Sequence, residues 1–187
     1  MTFTYRPNGP DLWDRILSRM PPGSIIGGGA VRDWFLGVEP KDIDVFIDAR
    51  RGEAPPECSS LAGDRDEEYE AMREVVCVQR GILENRVVDV VHLDLNVRDG
   101  GLVLAGEVDP KPFTAENVIE LFDFGITRCA YDGAIRDSTH ASIDRANFTV
   151  TLFRHDRLER AMRRFERFTN RHNGVYTLVA PTGDIIR

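Results

Sequence analysis

Apolar residues at 12, 13, 16, 17 and 20 recur at helical spacing and run into Pro21-Pro22-Gly23, so the pattern predicts a short helix over residues 11–20. Residues 24–26 read as a buried strand that enters Gly27-Gly28-Gly29, and a helical pattern over 30–36 follows until Gly37 ends it. Residues 41–48 alternate strictly, with Ile43, Val45 and Ile47 facing one way and Asp42, Asp44, Phe46 and Asp48 the other, which predicts a strand. Two β-branched runs, 75–83 and 86–95, meet at Glu84-Asn85 and predict a hairpin. A second hairpin is expected from 122–131 and 134–139 around Asp132-Gly133. Residues 49–65 read as a surface loop, about 66–74 as an acidic helix, and 96–113 as a further excursion. Thr114 is placed to cap a helix over 115–121. A last helix is expected over about 156–170 and a terminal strand over 175–179. In that helix Leu158, Ala161, Met162, Phe165 and Phe168 form one stripe, and Arg157, Arg160, Arg164, Arg167 and Arg171 form another beside it.

These elements predict an α/β (α+β) fold, a small mixed sheet with helices on one side. With 187 residues and no linker or repeat, one domain over 1–187 is expected. A content of 42% hydrophobic and 29% charged residues excludes a disordered chain. No window approaches 18 apolar residues, and the first ten lack a charged-then-apolar start, so a cytoplasmic protein without membrane contact is expected. Cys58, Cys77 and Cys129 lack metal or disulfide spacing; Cys77 and Cys129 are expected in the core and Cys58 in a loop.

The distribution of charge changes the picture more than its sum. The formal charge is -7, yet residues 154–171 hold seven arginines against Asp156, Glu159 and Glu166, a local balance of +4. Acid gathers elsewhere, at positions 64, 66, 67, 68, 70 and 74. Phosphate neutralisation drives nucleic-acid affinity, so such a chain must meet any polyanion locally. Of the 24 basic residues only Lys41 and Lys111 are lysines, and guanidinium groups favour bidentate phosphate contact and stacking.

Three groups suit phosphate chemistry. A glycine turn at Gly28 and Gly29 between strand and helix lets backbone approach phosphate oxygens. Asp42 and Asp44 share one strand face with Cα atoms roughly 6–7 Å apart, a repulsion that a divalent cation relieves. The pair lies 13 residues after Gly29, so a βαβ-like return would bring it beside the turn. Asp89 stands inside the apolar run Val87-Val88-Asp89-Val90-Val91, where an unpaired charge is costly, and it is the candidate third carboxylate, with Asp94 in reserve.

The run IIGGGAVRDWFLGVEPKDIDVFI resembles the signature of the class II tRNA nucleotidyltransferase and bacterial poly(A) polymerase head domain, within the DNA polymerase β-like nucleotidyltransferase superfamily. Asp89 in VVDVVHL is similar to the acidic residue of that family's third catalytic strand. Asp123-Phe124-Gly125-Ile126-Thr127-Arg128 with Ala130-Tyr131-Asp132 resembles its D-F-T-I-N-A and A-Y-D/N segment, and Arg157, Arg160, Ala161 and Arg163 resemble its arginine-rich helix. The likeness covers about residues 24–171.

The resemblance implies transfer of a nucleotide from an NTP, ATP or CTP, to an RNA 3′ end, that of tRNA in particular, with release of pyrophosphate. It implies two Mg²⁺ ions on Asp42, Asp44 and Asp89. It places Gly28, Gly29, Arg32, Asp33, Asp123, Arg128, Arg157, Arg160 and Arg163 at the nucleotide, Arg32 and Asp33 as braces of the loop. The chain departs from the family at Leu121-Phe122, where the family has two arginines, and at Phe153-Arg154, in place of an acidic pair that reads the base. The family's neck, body and tail have no counterpart in 187 residues, so a head domain alone is expected. Transfer to a protein or small molecule and a non-catalytic nucleotide-binding module are the alternatives.

Overall fold

The computed structural model describes residues 9–60, 72–96, 111–154 and 158–186. The expected helix over 66–74 and the excursion over 96–113 lie largely outside them, as does Arg157.

A seven-stranded mixed sheet organises the chain. Strand β1 (Ile25–Gly27) leads through α2 (Gly29–Phe35) to β2 (Ile43–Asp48). The return is antiparallel, not the expected βαβ crossover, and sets Gly27 opposite Asp44. The parallel neighbour of β2 is instead β5 (Arg86–Leu93), in the register Asp44 to Asp89 and Phe46 to Val91. β5 pairs with β4 (Val75–Leu83) as the expected hairpin, and Glu84 (φ 51°) and Asn85 (φ 58°) both adopt the left-handed conformation that a tight two-residue turn requires. The two-residue β3 (Ser59–Ser60) edges one side of the sheet; β6 (Cys129–Tyr131) and β7 (Ile135–Asp137) complete the other.

Both faces of the sheet are covered. Ile26, Ile43, Val45, Ile47, Val88 and Val90 pack under α1 (Pro10–Leu17) and α2, with Trp13 and Ile16 fully buried. The opposite face, Ile25, Phe46, Val91 and Leu93, is closed by α3 (Ala115–Ile119), which Thr114 caps by accepting from the Asn117 amide. Helices on one side alone therefore prove too few: the central strands are apolar on both faces, and a second layer must bury the other one. Cysteine placement also differs from expectation, since Cys58 is buried and Cys77 exposed. Cys129 is buried as expected, and burial pushes its thiol up to about 12.

Residues 122–131 do not run as one strand. A 3-10 turn, Gly125–Thr127, bends the chain, and β6 begins only at Cys129. After β7 the chain forms α4 (Thr139–Asn147) and β8 (Thr149–Thr151), elements without an apolar stripe to announce them. Ser138 caps α4 through the Ala141 amide at 3.1 Å. Its buried side is Ala141 and Asp144, the latter accepting from Thr149 Oγ1, the Thr151 amide and Thr151 Oγ1 at 2.8–2.9 Å. Helix α5 (Leu158–Arg171) packs Ala161 and Phe168 against a third cluster with the parallel pair β8 and β9 (Thr177–Val179).

Asp144 also fixes the 3-10 turn, because a Cβ at Gly125 would lie 2.5 Å from Asp144 Oδ2 and 3.1 Å from Thr151 Cβ. Gly125→Ala is expected to lower unfolding free energy by about 1–3 kcal/mol, the range of an overpacked core, as read from urea melts.

Candidate active site

The sheet's carboxylate edge and the arginine helix face one another across a cavity of about 510 Å³. On one wall lie Gly28, Gly29, Arg32, Lys41, Asp42 and Asp44. The other holds Phe122, Asp123, Phe124, Thr127, Arg164, Phe165, Arg167, Phe168 and Arg171. The lining thus combines five cations with three carboxylates and a set of phenylalanine rings.

Gly28 makes the near wall possible. Its φ of 66° suits glycine, its amide donates to Cys129 O at 3.1 Å, and a Cβ there would stand 3.9 Å from Asp44 Oδ2. The β1–β2 register therefore delivers both carboxylates to the turn. Asp42 and Asp44 are half-buried and open to the cavity.

Asp33 does not reach the cavity. It is 1% exposed and receives Arg32 Nε at 2.7 Å, with Arg171 at 3.3 Å and His172 Nε2 at 3.4 Å. Burial alone would push its carboxyl up; contact with His172 and the charges of Arg32 and Arg171 outweigh that and hold it below the ordinary carboxylate range. The carboxylate so ties α2 to the end of α5. Arg32 still lines the cavity, its guanidinium 4.9 Å over the Phe168 ring.

Asp123 sits in the far wall, bound to Arg164 at 3.0 Å and within 4.0 Å of Arg154. Arg128 lies outside the lining. It donates to the carbonyls of Phe122 and Glu120 at 3.1 and 3.2 Å and stacks 3.6 Å from the Phe153 ring centroid, so it shapes the Leu121–Phe122 segment from behind. Phe153 thus occupies a structural place.

On α5, Arg160 and Arg163 are outside the lining, and Arg163 is exposed. Arg164, Arg167 and Arg171 line the cavity instead. The periodicity places all three on one stripe with Arg157 and Arg160, whereas the likeness to the arginine helix singles out Arg157, Arg160 and Arg163. Lys41 carried no sequence signal beyond position, and Phe165 and Phe168 were marked only as an apolar stripe of the helix.

The expected third carboxylate is held elsewhere. Asp89 lies beside Asp44 in the ladder but is 2% exposed and absent from the lining, and both its oxygens receive Arg80, Nε to Oδ1 and a terminal nitrogen to Oδ2, each at 2.6 Å. Among the described residues no three His, Cys, Asp or Glu side chains converge to hold a metal. The oxygen-only donor set of Asp42 and Asp44 still fits a hard cation such as Mg²⁺, which takes one or two carboxylates and completes its shell with phosphate oxygens and water.

This architecture is the nucleotidyltransferase fold. The CCA-adding enzyme of Thermotoga maritima, solved in complex with tRNA-CCA, superposes on 91% of the chain with a TM-score of 0.53 at 17% identity. CCA-adding enzymes solved with CTP and with ATP superpose on 91% and 92% at TM-scores of 0.53 and 0.52, with 18% and 16% identity. The chain spans only 37–38% of those three proteins' lengths. No protein-family model and no curated protein matches the sequence. No helix among the described residues is long and apolar enough to cross a membrane.

The Asp33 junction titrates with a definite sign. Its lowered pKa adds stability that is present above the unfolded value near 3.9 and is lost as pH falls through the folded value. Asp33→Asn should cost about 3 kcal/mol at pH 7 by leaving buried cations without their counter-charge, and the gap to wild type should close below about pH 4 in melts run from pH 3 to 8.

Proposed function

We propose that the protein is a metal-dependent nucleotidyltransferase that moves NMP from an NTP to the 3′ hydroxyl of an RNA, a tRNA in the first instance, and releases pyrophosphate. The observation that carries this reading is the delivery of Asp42 and Asp44 to the Gly28 turn, directly across one cavity from Arg164, Arg167 and Arg171. The tRNA acceptor and the choice of ATP or CTP are supported by the molecules bound to the CCA-adding enzymes that share the fold.

In this reading the glycine turn keeps side chains away from the triphosphate, and Arg32, Lys41, Arg167 and Arg171 bind its oxygens. Phe122, Phe165 and Phe168 offer the base an apolar, stackable wall, and Asp123, oriented by Arg164, faces its polar edge. Asp42 and Asp44 hold Mg²⁺, which, when bound, offsets the charge that builds up at the phosphate and the attacking oxygen. The acceptor oxygen bonds to the α-phosphorus while the bridging oxygen to the β-phosphorus leaves with pyrophosphate, and the hydroxyl proton passes to water. Exposed Arg163 is assigned to the acceptor's phosphates, while Asp33 and Arg128 position the two walls.

Incubating the protein with Mg²⁺, each labelled NTP in turn and total tRNA, followed by a gel that resolves RNA and protein, tests the proposal. Label on tRNA is expected, reduced by at least about 10²–10³-fold in Asp42→Ala/Asp44→Ala, the scale of losing preorganised charge stabilisation. Label on protein would replace the acceptor, and absence of label on any partner would favour a nucleotide-binding module. Arg167→Ala with Arg171→Ala is expected to raise KM for the NTP at least about tenfold, since phosphate contacts made in both ground and transition states act on binding.

A further inference from the structure

We infer that His172 is a positioning residue for the triphosphate: it takes over the Asp33 carboxylate when the NTP draws the Arg171 guanidinium into the cavity. This rests on the nucleotidyltransferase reading and gives a role to a side chain that lies just past the stretch of family likeness.

The way α5 ends puts His172 in place. Its amide still donates to the Phe168 carbonyl at 3.0 Å, so it closes the last turn. Asn173 (φ 63°) and Gly174 (φ 70°) then reverse the chain, with the Gly174 amide on the Thr169 carbonyl at 2.7 Å. The imidazole is held inward, its side chain 4% exposed and its ring centroid 4.5 Å from that of Phe168. Buried there, Nε2 has a neighbour but no aligned hydrogen bond: it stands 3.4 Å from Asp33 Oδ1, and among the described residues no acceptor meets it in line. Facing a carboxylate, this nitrogen carries its proton, since a lone pair in its place would be repelled. A buried donor left unused is costly, and its place beside Asp33 points to the use.

The other two partners of Asp33 show which of them can leave. Arg32 grips Oδ1 with Nε at 2.7 Å and a terminal nitrogen at 2.6 Å. Arg171 reaches Oδ2 only at 3.3 Å, through the nitrogen that also donates to the Glu39 carbonyl. Both arginines line the cavity, and Arg171 is the more loosely held at Asp33. A triphosphate presents more charge than one shared carboxylate and takes the same guanidinium fork, so it competes for Arg171 first. Asp33 would then keep its charge in a buried place with one partner fewer, which is the expensive arrangement. His172 offsets that loss, because closing its 3.4 Å gap to about 2.9 Å completes a hydrogen bond to the carboxylate. Without the imidazole, Asp33 holds Arg171 back and the NTP must bind against that hold.

Isothermal titration of the full chain with Mg·ATP and Mg·CTP, run as a double-mutant cycle, tests the exchange. His172→Phe keeps a ring against Phe168 but has no donor, and it should weaken binding about tenfold, the scale of one hydrogen bond to a charged group. In the Arg171→Ala background the same change should cost less than about threefold, because no guanidinium is left to release. His172→Gln, whose amide nitrogen can stand where Nε2 does, should stay within about threefold of wild type. Unchanged affinity in His172→Phe, an equal loss in both backgrounds, or a Gln variant as weak as the Phe variant would each overturn the role. If His172→Phe does not fold, the imidazole ¹⁵N spectrum of the wild type decides: saturating Mg·ATP should shift the His172 Nε2 resonance, and no shift rules the exchange out. A wild type that binds neither nucleotide removes the site reading itself, whereas binding that ignores His172 removes this inference alone.

Discussion

The burial of Asp33 among Arg32, Arg171 and His172 is the contact on which the site depends. Asp33 belongs to the helix that follows the glycine turn, while Arg171 and His172 belong to the end of the arginine helix. The cavity lies between the turn that opens the first of these helices and the side of the second. Arg171 reinforces the seam by also donating to the Glu39 carbonyl in the loop ahead of β2. A carboxylate that never touches the cavity thereby sets its width.

The chain's departures from the expected pattern make sense once this seam is in place. Leu121 and Phe122 stand where arginines would be expected, and they line the cavity next to the Phe46 ring, 5.4 Å from Phe122 centroid to centroid. With that stretch apolar, the positive charge of the far wall comes from α5. Arg128 supports the stretch by donating to the carbonyls of Phe122 and of Glu120 just before it, so a cation is present there as scaffold and its charge is turned into the backbone. Burial lowers the tendency of that guanidinium to hold its proton, in keeping with an inward-facing role.

Much of the fold was legible because its elements bury by simple periodicity. The alternation of residues 41–48, the paired runs around Glu84-Asn85 and the stripe of α5 each carried their assignment. α4 was not legible, since it buries a small residue and a hydrogen-bonded aspartate, and Asp144 reads as polar until Thr149 and Thr151 are brought to it. Likewise, no local pattern marks that β1 and β2 run antiparallel or that a second layer covers Phe46. At the site, the glycine turn and the Asp42 and Asp44 pair could be read directly. The engagement of Asp89 could not, because Arg80 lies nine residues away and becomes its partner only through the hairpin register.

The cavity's two walls are also far apart in the order in which the chain is made. The contact between Arg171 and Glu39 closes a loop of 132 residues. At 5–20 residues per second, a ribosome that has finished the carboxylate wall needs roughly 7–26 s more before the arginine wall exists. During that interval Asp33 has no Arg171 or His172 to meet, and the glycine turn and its aspartates form one wall of the cavity without the other. The arginine helix is thus a late clasp, made 132 residues after the loop to which Arg171 ties it.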